Sequence, residues 1–176
     1  MRSLFVGSLA AAVVMFALGF LFFGLLFTLA LSPVAPATAA SVQAALGTHL
    51  PASGSYAVPM DEAAWMAGPS ALVHFTAAGG APALPVAMVS GFLHMAASAF
   101  LVALGLKAAG GDFARQSRVA FWFGLAAAFF MHLGDPLWYG AGWRMPLFVF
   151  VADGLMFIAG GLVLARWFTS ERRAAA

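Results

Sequence analysis

Residues 4–31 read LFVGSLAAAVVMFALGFLFFGLLFTLAL and contain no charged side chain. As a helix rising 1.5 Å per residue, this run is longer than the ~30 Å hydrocarbon core of a bilayer. It follows Arg2 and ends before Pro33, Pro36 and the small residues Ala37, Thr38, Ala39 and Ala40. Small residues after an apolar stretch also mark secretory cleavage sites, but the apolar region of a signal peptide runs only about 7 to 15 residues. The run at 4–31 is far longer, which predicts an uncleaved membrane span.

Three more runs extend the pattern. Residues 85–106 open on Pro85, which suits the first turn of a helix, and stop at Lys107 and the Gly110-Gly111 pair. Residues 119–133 are closed by Gly134, Asp135 and Pro136, and residues 147–168 follow Pro146 and lead into Glu171, Arg172 and Arg173. Composition agrees, since 64% of the 176 residues are hydrophobic and 8% are charged, whereas soluble domains carry about a quarter charged residues. The expected fold is all-α transmembrane: one membrane domain over 1–176, an antiparallel four-helix bundle with its lipid bilayer as solvent.

Basic residues set the expected orientation. Arg2, Lys107, Arg115, Arg118, Arg166, Arg172 and Arg173 fall on one side of such a bundle and Arg144 alone on the other. Because Lys and Arg accumulate on the cytoplasmic side, this predicts a multi-pass protein of the inner (plasma) membrane with both termini inside. Segment 33–84 is then extracytoplasmic. A net charge of +2 with no run of like charge excludes the electrostatic footprint of nucleic-acid binding. The absence of cysteine excludes disulfides and thiolate chemistry.

Segment 33–84 is too long and too patterned for a bare linker. Residues 41–46 fit a short amphipathic helix, and residues 55–58 and 72–75 read as two strands, with Pro59 and Gly68-Pro69 breaking the chain between them. A small extracytoplasmic cap containing a short β-hairpin is expected. The pattern Gly54-Ser55-Tyr56-Ala57-Val58-Pro59, then Gly68-Pro69, then Ala78-Gly79-Gly80, between a long first span and three closely spaced ones, resembles an uncharacterised family of small four-span bacterial inner-membrane proteins. The resemblance implies the four-span architecture and no activity.

Ionisable groups inside spans are costly and are functional candidates by default. Three occur: His94 in the second span, His132 in the third and Asp153 in the fourth. Counted inward at 1.5 Å per residue, they lie about 15, 6 and 10 Å deep, all in the outer half. If they converge, they form a His-His-Asp site for a divalent metal, or His94 and His132 hold a haem. The difference in depth of the two histidines opposes haem. Asp135, three residues after His132, shares its face if the helix persists and can orient the imidazole, as carboxylates do beside metal ligands. The plainer role is hydrogen bonding between helices, with Asp153 meeting His94 or Arg144. A surface metal site from His49, His74, Asp61 and Glu62 is a weaker expectation.

The turn Trp138-Tyr139-Gly140-Ala141-Gly142-Trp143-Arg144 reads as interface anchoring. Its functional alternative is an outer rim, formed with Asp135, that receives an anionic headgroup or a quinone ring. Catalysis finds little support, because no Gly-x-Ser-x-Gly or phosphate-binding Gly-rich loop is present. The small residues Gly7 with Ala11, Ser90 with Gly91, and Gly154 with Gly160 and Gly161 fit close helix packing or a homo-oligomer interface. The expectation is a small non-catalytic membrane component, an accessory, scaffold or partner-binding protein for other membrane proteins. The alternatives are a metal- or haem-binding redox protein using His94, His132 and Asp153, and a small homodimeric transporter.

Overall fold

The computed structural model describes residues 2–78 and 84–174; Gly79 and Gly80 of the loop pattern lie outside them. The chain is mostly helical and divides into two compact units, one built from the four long helices and the other from Ser32–Leu84.

In the helical unit, α1 (Arg2–Gly19) continues through a π-helical stretch at Phe20–Leu26 and a 3-10 turn at Phe27–Leu29. Then come α4 (Leu84–Ala109), α5 (Phe113–His132), the short α6 (Gly134–Tyr139) and α7 (Arg144–Ala174). Among the described residues four stretches are long and apolar enough to cross a membrane: Arg2–Leu29, Leu84–Ala109, Phe113–Tyr139 and Arg144–Thr169. These correspond to the four expected runs, with the third extended at both ends. Asp112 explains one extension, because its carboxylate accepts the Arg115 N–H and caps α5 six residues before the apolar run starts.

Contacts between the helices run in opposite registers, so all neighbours are antiparallel. On α1 and α7, Gly7 lies under Trp167, Gly19 near Met156, and Phe22, Phe23 and Phe27 against Phe148. On α5 and α7, Ala120 meets Gly161, Ala128 meets Gly154, and Phe129 meets Phe150. Ring pairs Phe5–Phe100 and Phe16–Phe92 set α4 against α1. The π-helical stretch has a use here: its i to i+5 spacing brings Phe22 and Phe27 onto the same ring.

Helix α7 is the centre of the packing. A Cβ on Gly160 would lie 2.8 Å from Sδ of Met15 on α1, and one on Gly161 would lie 2.5 Å from Cβ of Ala120 on α5. Adjacent helix positions point about 100° apart, so this pair admits two neighbours at once. The buried core follows from that approach: Ala11, Met15, Ala120 and Leu164 lie within it, joined by Ala99, Ala103 and Leu106 of α4. Two buried hydroxyls are satisfied by their own helix, Ser8 donating to the Leu4 carbonyl and Thr169 to that of Ala165, while the Ser117 hydroxyl is buried without a partner among the described residues.

In the other unit, α2 (Pro36–His49) precedes β1 (Gly54–Val58), α3 (Glu62–Ala67) and β2 (Ala71–Phe75). The strands pair antiparallel, Gly54 opposite Phe75 and Val58 opposite Ala71. The hairpin therefore forms as expected, one residue longer at the start of each strand. Helix α2 is longer than the expected 41–46 because Pro36 starts it early. Helix α3, which no apolar period announced, is started by Asp61, whose carboxylate accepts the Ala64 N–H.

The glycine pair supplies a direct test. Gly161→Ala is expected to destabilise the helical unit by about 1–3 kcal/mol, because Ala120 has no flexible atoms to move aside. Gly105→Ala, where a Cβ meets nothing within 4 Å, should be neutral or slightly stabilising. Thermal unfolding in detergent compares the two, and equal melting temperatures would refute the packing role.

Candidate functional site

Of the three polar groups expected in the spans, two meet. His132 closes α5 and Asp153 lies on α7 opposite it, with Nε2 to Oδ2 at 2.7 Å and both side chains partly buried. The imidazole N–H donates to the carboxylate. The partner of Asp153 is thus His132, and neither His94 nor Arg144 takes that place. Antiparallel packing of α5 on α7 puts the two residues level, so the bond is a clamp across the most closely packed helix pair.

Asp135 does not orient His132. The helix ends at Leu133, where ψ rises to 1° before α6 begins, so the i to i+3 relation of an unbroken helix does not hold. Asp135 lies exposed. Arg144, at the start of α7, donates from Nε to the Leu29 carbonyl at 2.7 Å. That carbonyl is one of those a helix end leaves without an intrahelical partner, and a cation suits the C-terminal end of a helix. Trp138, Tyr139 and Trp143 are all exposed, Trp138 83% so, and α6 carries the first two on a short helix instead of an irregular turn.

His94 stands apart from the clamp. It lies near the middle of α4, exposed, and its ring has no hydrogen-bond partner among the described residues. The buried face of α4 is Ala99, Val102, Ala103 and Leu106. His94 falls instead on an exposed line with Ser90, Ala97 and Leu101, spaced four, three and four residues apart. One turn before it Gly91 has open space where a Cβ would be. The hydroxyls of this face are already used as donors within the helix, Ser90 to the Val86 carbonyl and Ser98 to the His94 carbonyl, so their oxygens retain acceptor capacity.

Among the described residues no three His, Asp or Glu side chains gather where a metal could be held. His74 on β2 bonds Ser55 across the strand pair at 2.8 Å, and Asp61 is occupied as the cap of α3. Sequence reading missed Gln116. It is 1% exposed at the start of α5, and its Nε2 reaches the Leu106 carbonyl at a long 3.5 Å, bridging α5 to α4. An uncharged amide between Arg115 and Arg118, ahead of the apolar run that begins at Val119, gives no signal of burial in the sequence. No family model, curated protein or solved structure matches the chain, so the site rests on this geometry alone.

A double-mutant cycle on His132→Leu and Asp153→Leu checks the clamp. The expected coupling is about 0.6–2 kcal/mol in detergent unfolding, the range of polar contacts between membrane helices. Additive single effects would show that the two side chains do not support each other.

Proposed function

We propose that the chain is a four-span membrane protein with both termini in the cytoplasm, acting as a partner-binding component that docks another transmembrane helix on the exposed face of α4. Membrane insertion is supported by large side chains that water would not tolerate in such number on one surface, among them Leu101, Phe123, Phe129 and Phe130. Orientation is supported by the antiparallel packing, which brings Arg2, Lys107, Arg115, Arg118 and Arg166 to one end and leaves Arg144 at the other.

The observation that carries the docking role is His94. Its Cα lies about 15 Å along α4 from the first residue of the helix, near the middle of a bilayer. A polar ring there, turned away from its own bundle, costs free energy unless a neighbour supplies a hydrogen bond. Small residues beside it allow a second backbone to approach closely. The occupant that fits is a helix presenting a hydrogen-bond acceptor opposite His94. Accessory and scaffold proteins of membrane assemblies need a surface of this kind and no reactive centre.

The natural absence of cysteine makes a clean test available. Single variants Ala97→Cys and Ser98→Cys, treated with a short thiol-to-amine or photoactivated cross-linker in intact membranes, are expected to yield a discrete larger product. Phe130→Cys, on the exposed side of α5, should yield none. Adding His94→Leu to Ala97→Cys should reduce the product several-fold, by about the 1–2 kcal/mol of one such hydrogen bond. A product of twice the chain mass identifies a second copy, and another discrete mass identifies a different chain. Equal labelling from α4 and α5, or no effect of His94→Leu, would reject the docking face.

A further inference from the structure

Between α1 and α4 lies an open groove of about 420 Å³ walled by Phe5, Leu9, Ala96, Ala97, Phe100 and Leu101. It exists because α4 touches α1 through projecting rings, Phe5 on Phe100 at 5.3 Å and Phe16 on Phe92 at 5.8 Å, while Ala96 and Ala97 are too short to fill the space between. The lining is almost wholly apolar, and the hydroxyl of its single serine, Ser8, is turned back to the Leu4 carbonyl. A helix about 10 Å across fills this volume in roughly one turn. The space between α1 and α4 therefore suits an inserted hydrocarbon chain better than an inserted helix, and Ala97 and Leu101, which wall it on the α4 side, also lie on the exposed line of His94.

Both walls end in a cation. Arg2 precedes Phe5 and Leu9 by three and seven residues, and Lys107 follows Phe100 and Ala96 by seven and eleven, so each lies on the face of its helix that lines the groove. Since α1 and α4 are antiparallel, the two cations reach the same end. Both are exposed, and neither has an ion-pair or hydrogen-bond partner among the described residues. Neither helix contains an Asp or Glu, and nearby Asp112 is occupied in capping α5. Lys107 stands about 10 Å along the axis beyond Phe100, a distance at which a phosphate can meet the ammonium while the acyl chain lies against the ring.

We propose that this groove holds an acyl chain of an anionic phospholipid, whose phosphate is bound by Arg2 and Lys107. The proposal rests on the membrane-spanning reading above and not on the docking face. Apolar burial in the groove supplies contact for any acyl chain, and the paired cations supply preference for headgroups of net negative charge. Unlike the general attraction of basic loops for a charged surface, a groove-bound lipid stays with the protein after extraction.

The test uses the full chain in mild detergent, delipidated and then exposed to phosphatidylglycerol or phosphatidylcholine with identical acyl chains, with bound lipid counted by native mass spectrometry. Phosphatidylglycerol is expected to be retained about tenfold or more over phosphatidylcholine, near one molecule per chain. Arg2→Gln with Lys107→Gln should bring the two lipids to equal retention without changing the melting temperature of the lipid-free protein, because both side chains are exposed. Ala97→Phe, which fills the groove, should reduce retention of both lipids. Equal retention by the unaltered protein, or preference that survives the double substitution, overturns the lipid site. Release of the unaltered protein from membranes by alkaline carbonate would overturn the membrane-spanning reading with it, whereas a carbonate-resistant chain without lipid preference overturns the lipid site alone.

Discussion

The closest approach in the helical unit is made by Gly160 and Gly161, where α7 has no side chain and two neighbours come up against its backbone. Most of the remaining arrangement follows from this. Dispersion contacts multiply when backbones approach, and among apolar helices they replace the hydrophobic driving force that lipid cannot provide. Helices α1, α5 and α7 therefore form a closely packed trio. Helix α4 has no glycine of its own at such a contact, since Gly91 and Gly105 both look into open space, and it is held by Ala99, Ala103 and Leu106 in the core, by ring contacts and by the Gln116 bridge to Leu106.

The trio and the fourth helix divide the polar chemistry between them. Where packing is tight, several polar groups are satisfied internally, Ser8 and Thr169 by their own helices, Arg144 by the end of the first span, and His132 by Asp153, although Trp167 Nε1 and Ser117 Oγ are buried without a hydrogen-bond partner among the described residues. Where packing is loose, on α4, an imidazole faces outward and a groove stays open. The tight contacts and the exposed polar ring thus fall on different surfaces of one small bundle.

Much of this could be read from the residues. Length and apolarity gave the four runs, because a bilayer fixes how long a crossing helix must be, and the basic residues gave the common end of Arg2, Lys107, Arg115, Arg118 and Arg166. Strand alternation located the hairpin to within a residue. The pairing inside the site was not legible. Helical spacing proposed Asp135 for His132, but a break at Leu133 removed that relation, and the depth count could not say which face of α4 carried His94. Nor could spacing show that Arg144 would reach back to Leu29, a residue 115 positions earlier. Such contacts depend on the rotation of each helix about its axis, which small-residue packing sets and which a run of Ala, Leu and Phe scarcely records.

Two histidines of one chain illustrate what that rotation decides. His132 and His94 carry the same ring on neighbouring helices, yet one is turned onto α7 and finds a carboxylate, while the other is turned outward. Had both been packing residues, rotating α4 by about a third of a turn would have brought His94 toward the core in exchange for Met95 or Ala99. The bundle instead buries Ala99, Val102, Ala103 and Leu106 and leaves the imidazole uncovered. Burying that apolar line is favourable only by packing, since lipid solvates Val and Leu as well as protein does, so the orientation of α4 is not forced by its own apolar residues. An exposed polar ring in the middle of α4 is then the feature of this helix that its own bundle does not explain, and it is on this ring, with the short side chains beside it, that the proposed docking rests.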